Sequence, residues 1–174
     1  DRARELEDRL GPVLIQLGPD FRPVELPALA KFLPTLPDDI AFAVEFRDKG
    51  WIHDGVIALL SEHNVALALT DARWIPRRQM LSLADRPTAD FVYIRWMGAD
   101  REIVDYSRIQ VDRSRELELW AGVIAQLAHR GRSIYGYVNN HFAGHSPASL
   151  RELQRLLHLS PVDPEQLGEQ MTLF

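Results

Sequence analysis

The sequence predicts an α/β protein built on a parallel β-sheet. Five short, mostly apolar segments are typical of buried strands, and segments with leucine, alanine, isoleucine and valine at helical spacing separate them. The 174 residues are 46% hydrophobic and 26% charged, which is enough apolar material for one core. This alternation indicates right-handed strand–helix–strand units whose sheet is covered on both sides.

The predicted elements follow one another along the chain. Residues 1–11 have the pattern of the last turns of an amphipathic helix that stops at Gly11, and because the first residue is not methionine we expect that upstream sequence is missing. Apolar and β-branched runs predict strands at 13–17, 40–46, 65–69, 91–97 and 133–140. Helices are predicted at about 24–36, 54–63, 77–83, 114–129 and 147–157. Ser146 can cap the last helix, and Pro147 suits its first turn.

Two segments differ in character near the end of the chain. Residues 1–159 hold the strand and helix units and are predicted to form one domain. Residues 160–174 are predicted to be a linker and C-terminal tail, because the prolines and polar residues of SPVDPEQLGEQ exclude a long helix.

The composition excludes several classes of protein. No apolar run approaches the roughly 20 residues of a membrane span, and no leader precedes a cleavage site, so we expect a cytoplasmic protein with no membrane partner. The absence of cysteine excludes disulfides and thiolate metal sites. A net charge of -5 argues against a surface that coats nucleic acid indiscriminately, although a local basic patch stays open.

Two architectures fit the alternation of strands and helices. An open, doubly wound sheet that bound a dinucleotide would normally have a glycine-rich fingerprint after its first strand, and QLGPDF (16–21) is not one. Part of a (β/α)8 barrel is the other choice. Five strands are too few to close such a barrel, which usually needs about 250 residues.

Four motifs resemble a known family. They are GPVLIQLGPDF (11–21), AVEFRDKGW (43–51), DFVYIRWMG (90–98) and YGYVNNHFAGHSPASL (135–150). In this order and spacing they resemble the YecE-like family, domain of unknown function 72, over nearly the whole chain. The resemblance implies a TIM-type (β/α)8 barrel, of which residues 1–159 would be a partial barrel resembling strands four to eight, with the first three units missing. The family has no settled activity, so the resemblance implies no reaction.

Polar side chains end the predicted strands, at the edge where α/β proteins gather substrates. Glu45 is a candidate general base or metal ligand, and a buried ion pair with Arg47 or Arg95 is the alternative. Asp71 and His141 are the other catalytic candidates. Together with Glu45 they would supply ligands for a divalent metal ion; the sequence otherwise leaves the cofactor unknown.

Arginines and a tryptophan mark the candidate substrate site. TDARWIPRR (70–78) places positive charge and an aromatic face on one loop, which suits an anionic group and a stacked sugar or base. The alternative is a solvated loop with its tryptophan in the core. A charge within an apolar strand, as at Arg95, is costly unless it is paired or meets a ligand. The candidates at the first four strand ends are Gln16, Arg47, Arg73, Trp74 and Arg95.

The last strand adds three further substrate-binding candidates, Tyr137, Asn139 and Asn140. An asparagine side chain can donate to and accept from a sugar hydroxyl, a phosphate or a base edge. Asn140 can equally hold the loop by bonding its backbone. His141 and His145 are four residues apart, a spacing that brings imidazoles together only on a helix, so local hydrogen bonding is preferred over a two-histidine metal site.

The tail carries a separate signal. QMTLF (170–174) resembles the short peptide that docks bacterial proteins on the DNA sliding clamp, with methionine where leucine is usual. The resemblance implies that Leu173 and Phe174 fill an apolar pocket while Gln170 makes polar contacts. The alternative is a tail that packs on its own domain.

Three functions follow from these features. The preferred hypothesis is an enzyme, with metal-assisted hydrolysis as its candidate reaction. It would act at the C-terminal mouth of the barrel on a small anionic or sugar-like substrate that bears a phosphate or a sugar, a nucleic-acid-derived molecule among the options. The first alternative is a non-catalytic module that binds nucleic acid or another anion. The second is an adaptor that the tail recruits to the DNA sliding clamp.

Overall fold

The structure, a computed structural model, describes residues 2–98 and 103–162. A short 3-10 helix, Arg2–Arg9, with a kink at Glu7, precedes the sheet. The strands are β1 (Val13–Gln16), β2 (Phe42–Glu45), β3 (Ala66–Ala72), β4 (Phe91–Gly98) and β5 (Ser133–Val138). The helices are α1 (Leu26–Phe32), α2 (Asp54–Glu62), α3 (Arg77–Leu83), α4 (Ser114–His129) and α5 (Ser146–Leu156). Each strand and helix predicted between residues 13 and 157 is therefore present.

The predicted partial TIM-type (β/α)8 barrel is wrong. The described strands form one parallel sheet in the order β1-β2-β3-β4-β5, which curls into a half-barrel. A barrel closes only when its first and last strands also pair. Within the described part of the chain, β1 pairs only with β2 and β5 only with β4, so numbering these strands four to eight has no support. The broader prediction of an α/β fold with a parallel sheet is confirmed.

The curl of the sheet brings its two edges towards each other. A Cβ atom built on Gly11, just before β1, would lie 3.8 Å from the Tyr137 Oη and 3.9 Å from the Tyr135 Cε1. Both tyrosines belong to β5 at the opposite edge. Their side chains therefore reach across the concave face of the sheet.

The helices α1 to α5 cover the convex face, and within residues 2–98 and 103–162 no helix packs on the concave face, contrary to the expectation of a sheet covered on both sides. One continuous apolar cluster, which we call the convex cluster, includes residues from all five helices and the strand residues that point towards them. A parallel sheet in sequential order with right-handed crossovers produces this one-sided arrangement. The concave face carries a smaller cluster of strand and loop side chains, Ala43, Ala66, Ala68, Ala89, Phe91 and Tyr93.

The tail falls largely outside the described residues. Residues 163–174 include Gln170, Leu173 and Phe174, so the division into 1–159 and 160–174 and the clamp peptide stay predictions. Of the helices that the structure describes, none has the length and apolar character that crossing a membrane requires. The cytoplasmic location stays a prediction.

Candidate functional site

A buried ion pair lies on the concave face at the carboxyl ends of the strands. The Glu45 side chain on β2 is 0% exposed, and Arg95 on β4 donates from Nη1 to its Oε2. Gln16 on β1 donates from Nε2 to Oε1 over 2.8 Å, and the Arg47 Nε lies 3.7 Å from the same oxygen. Among the roles that the sequence left open for Glu45, this geometry matches the ion-pair partner of both arginines.

Arg47 connects this ion pair to the loop after β3. Its guanidinium carbon lies 5.2 Å from the centroid of the Trp74 ring, within the range of a cation–π interaction. Trp74 is half-buried and packs against the convex cluster. Its Nε1 is buried and has no hydrogen-bond partner in the described part of the chain. The indole therefore packs as a core side chain on one side and carries an unused donor.

Asp71 points away from Glu45, towards the helices. It is in register with Trp96, whose ring packs in the convex cluster, and it accepts a hydrogen bond from the Trp120 Nε1 over 2.8 Å. Arg77 donates to both of its oxygens, over 2.5 Å from Nε and 3.0 Å from Nη2. These hydrogen bonds raise the pKa of the Arg77 guanidinium. Asp71 therefore fixes the orientation of one arginine.

The three catalytic candidates are not brought together. Glu45 lies on the concave face and Asp71 on the convex side, while His141 follows β5, where its Nε2 is 3.1 Å from the Tyr106 Oη. Across residues 2–98 and 103–162, no group of three or more histidine, aspartate or glutamate side chains could hold a metal ion. Joint metal binding by Glu45, Asp71 and His141 therefore has no geometric support.

A pocket of about 390 Å³ opens at the carboxyl ends of β3 and β4. The charged and aromatic side chains that line it are Lys49, Asp71, Arg73, Trp74, Arg77 and Arg113. Asp71 pairs with Arg77, and Glu116 lies 3.4 Å from Arg77 and 3.2 Å from Arg113. Lys49 and Arg73 are exposed and have no hydrogen-bond or ion-pair partner among the residues described. We call this site the cationic pocket; it is a local basic patch on an acidic chain.

The tyrosines of β5 face the concave side. Tyr137 is 46% exposed and stacks on Tyr93 of β4 with ring centroids 5.0 Å apart. Burial raises the pKa of the Tyr93 hydroxyl, and the neighbouring Tyr137 adds to the effect. Tyr137 is therefore accessible on the face that holds Glu45 and Arg95, as a substrate-binding residue must be.

The polar side chains after β5 hold their own loop. The Asn139 Oδ1 accepts from the backbone N–H of His141 over 2.9 Å, and the Asn140 Oδ1 accepts from the backbone N–H of Ser146 over 2.8 Å. The alternative that Asn140 stabilises the loop matches this geometry, and Asn139 does the same. Helix α5 begins at Ser146, with His145 as its N-cap residue, one position earlier than predicted.

Sequence reasoning did not single out three residues of these sites. Thr70 is 0% exposed on β3, and its hydroxyl has no hydrogen-bond partner among the described residues. Its alternation with Ala68 signals that it shares the concave face. Lys49 follows the end of β2 closely, and this position at a strand end is the signal that could have identified it. Arg113 comes long after β4, and no sequence signal places it at the pocket.

Comparisons with known proteins identify the family. The family model described as "Protein of unknown function DUF72" matches residues 1–171. No curated protein matches the chain significantly.

Solved structures of DUF72 family proteins are similar in fold. One from Thermotoga maritima has a TM-score of 0.70 and 21% identity, covering 90% of this chain and 63% of that chain. One from Enterococcus faecalis has a TM-score of 0.68 and 15% identity, covering 89% of this chain and 61% of that chain. This chain thus spans less than two thirds of their length, and at such identities the likeness shows the fold alone. With the family model and the four motifs in agreement, the chain belongs to the DUF72 family.

Proposed function

We propose that this protein binds a phosphate-bearing anion in the cationic pocket. The observation that carries the proposal is the pair Lys49 and Arg73, which line the pocket with no partner among the described residues. A guanidinium binds phosphate oxygens through two parallel hydrogen bonds, and an ammonium attracts them as a point charge. Trp74 also lines the pocket and adds apolar surface beside these two charges.

Binding is favoured over hydrolysis for a geometric reason. A general base must come within hydrogen-bond reach of a substrate proton. Glu45 is 0% exposed, and both of its oxygens accept hydrogen bonds, from Gln16 and from Arg95. We therefore assign Glu45 the role of holding Arg95 in place. Metal-assisted hydrolysis is the alternative function, and turnover of a phosphate ester by the protein would support it.

Calorimetric titration of the whole chain with inorganic phosphate at low ionic strength tests the proposal. Arg73→Gln should weaken binding about tenfold, because a charge-assisted hydrogen bond is lost. Arg78→Gln is the matched control, since Arg78 is an exposed arginine in the first turn of α3, five residues after Arg73, and does not line the pocket. The affinity should also fall with added salt.

Two outcomes would contradict the proposal. One is the absence of phosphate binding, and the other is an equal loss of affinity in Arg73→Gln and Arg78→Gln. A short single-stranded oligonucleotide, added as a competitor, then separates a small phosphate-bearing ligand from nucleic acid. Tight, salt-dependent displacement of phosphate by the oligonucleotide would favour the nucleic-acid alternative.

A second candidate function rests on the sequence of the tail. QMTLF (170–174) resembles the clamp-binding peptide, and it lies outside the described residues. Capture of purified bacterial sliding clamp by the whole chain tests it. The double variant Leu173→Ala and Phe174→Ala should abolish capture, whereas Thr172→Ala, at a spacer position, should not. Equal recovery of the clamp by all three proteins would end the adaptor hypothesis.

A further inference from the structure

Three buried hydrogen-bond donors near the ion pair have no hydrogen-bond partner among the described residues. They are the Arg47 Nε, the Thr70 hydroxyl and the Trp74 Nε1. Leaving a buried polar group without a hydrogen bond destabilises the folded state, and native proteins contain few such groups. Three of them in one place therefore call for an explanation in terms of function.

The three donors belong to one connected cluster. The Arg47 guanidinium lies over the Trp74 ring, and the Arg47 Nε is 3.7 Å from the Glu45 Oε1. Arg95 bonds the other oxygen of Glu45 and is in register with Thr70 on the neighbouring strand. The other two buried nitrogens without a hydrogen-bond partner are on Trp96, whose ring packs edge-on against Trp120, and on His141, whose ring packs against Tyr106; among the described residues neither ring contacts Arg47.

The chemistry of the cluster selects an acceptor with negative charge. All three atoms can donate a hydrogen bond, although the Arg47 Nε already lies within ion-pair distance of Glu45. Two guanidinium groups, of Arg47 and Arg95, face one carboxylate, that of Glu45, so the cluster carries one excess positive charge. A phosphate or carboxylate oxygen supplies both the lone pairs and the balancing charge.

We propose that Arg47, Thr70 and Trp74 form a second binding site, the inner subsite, for an anionic group of the ligand in the cationic pocket. Trp74 joins the two sites, because it lines the cationic pocket while Arg47 covers its ring. The ligand is accordingly a molecule with two separate anionic groups, at least one of them a phosphate. This inference rests on the proposed function, since it names the class of ligand that the same pocket takes.

Calorimetry on the whole chain with two series of probes tests the inner subsite. One series is alkanediyl bisphosphates of increasing chain length, and the other is the matched alkyl monophosphates, with inorganic phosphate as the reference. At the chain length that spans both sites, the bisphosphate should bind about tenfold more tightly than the monophosphate. Thr70→Val, which keeps the shape of the side chain, should remove that gain and leave the affinity for inorganic phosphate unchanged.

Arg73→Gln separates the inner subsite from the cationic pocket, because it should weaken phosphate and bisphosphate alike. A thermal midpoint of Thr70→Val at or above that of the natural protein shows that the fold is retained. The inner subsite is overturned if no bisphosphate exceeds its monophosphate, or if Thr70→Val leaves the bisphosphate affinity unchanged, while inorganic phosphate still binds. It is also overturned if Thr70→Val weakens inorganic phosphate equally. Absence of phosphate binding overturns the proposed function instead.

Discussion

Arg95 on β4 donates a hydrogen bond to Glu45 on β2, so the arginine side chain crosses β3 on the concave face. Neighbouring strands lie about 4.8 Å apart, and the crossing therefore covers roughly 10 Å. On that face, the β3 residues in register with Tyr93 and Arg95 are the small Ala68 and Thr70. The long Arg95 side chain thus passes over the short side chains of Ala68 and Thr70 and links β4 to β2 across β3.

Removing only the arginine of this pair should destabilise the fold. Arg95→Met leaves the fully buried Glu45 carboxylate without its closest cation, and breaking a buried ion pair typically costs about 3–5 kcal/mol. We expect a decrease in the free energy of unfolding of about 3 kcal/mol, measured by urea denaturation. The double variant Glu45→Met with Arg95→Met should recover part of this loss, because the fully buried carboxylate is gone and the remaining cation, Arg47, is 32% exposed. A double variant less stable than the single one would contradict this account.

The order and type of the elements could be predicted because they depend on local patterns. The apolar strand at 65–69 and the helix at 114–129 each carry their periodicity within a few residues, and both are present as β3 and α4. The closure of the sheet depends on what pairs with β1 and β5, and nothing local in either strand encodes that. The prediction of a TIM-type barrel was wrong because it rested on the resemblance, which numbers these strands four to eight of a closed barrel. The described strands pair as one open sheet of five.

The site was predictable only where strand alternation applies. Side chains alternate along a strand, so Glu45 and Arg47 share a face, and the buried ion pair that the sequence leaves as the alternative role of Glu45 matches the geometry. The same alternation indicates that Thr70 faces this side of the sheet. Asp71 was grouped with Glu45 because both end a strand, although they face opposite sides of the sheet. Tertiary contacts, such as the one between Asp71 and Trp120, decide such roles.

Two buried threonines should respond oppositely to the same substitution. The Thr88 hydroxyl accepts from the Leu67 N–H and donates to the Val65 carbonyl, both over 2.7 Å, whereas the Thr70 hydroxyl has no partner among the described residues. Thr88→Val should lower the free energy of unfolding by about 2 kcal/mol, because two buried backbone groups lose their partner. Thr70→Val should be neutral or stabilising. Urea denaturation compares the two, and a similar loss in both would refute the assignment of Thr70 as unpaired.

Asp112 should report on its hydrogen bonds through its pKa. The Ser114 hydroxyl, and then the Ser114 backbone N–H, lower the pKa of Asp112 below its usual value. Because the folded-state pKa is lowered, the stabilisation is present above the unfolded-state pKa and is lost as the pH falls through the folded-state pKa. Ser114→Ala should move the Asp112 pKa up towards its usual value, measured by NMR titration of the carboxyl carbon.

Asp105 is an internal control for that titration. Its pKa is lowered in the same way by Ser107, through the hydroxyl and the backbone N–H. In the Ser114→Ala protein the pKa of Asp105 should stay where it is. If both aspartates shift together, a general electrostatic change and not the Ser114 hydrogen bond is responsible.

Two glycines with positive φ should differ in how well they tolerate a methyl group. Gly98 (φ 71°) ends β4, and a Cβ there would overlap the His141 carbonyl oxygen and lie 2.7 Å from the Phe142 Cα. Gly131 (φ 74°) has nothing within 4 Å of the same position. Gly131→Ala should therefore lower the free energy of unfolding by about 1 kcal/mol, because only the unfavourable positive φ of the new alanine contributes. Gly98→Ala should cost about 3 kcal/mol or more, since the backbone after β5 must move. Equal thermal midpoints for the two variants would show that the approach of that loop to β4 is not a tight packing contact.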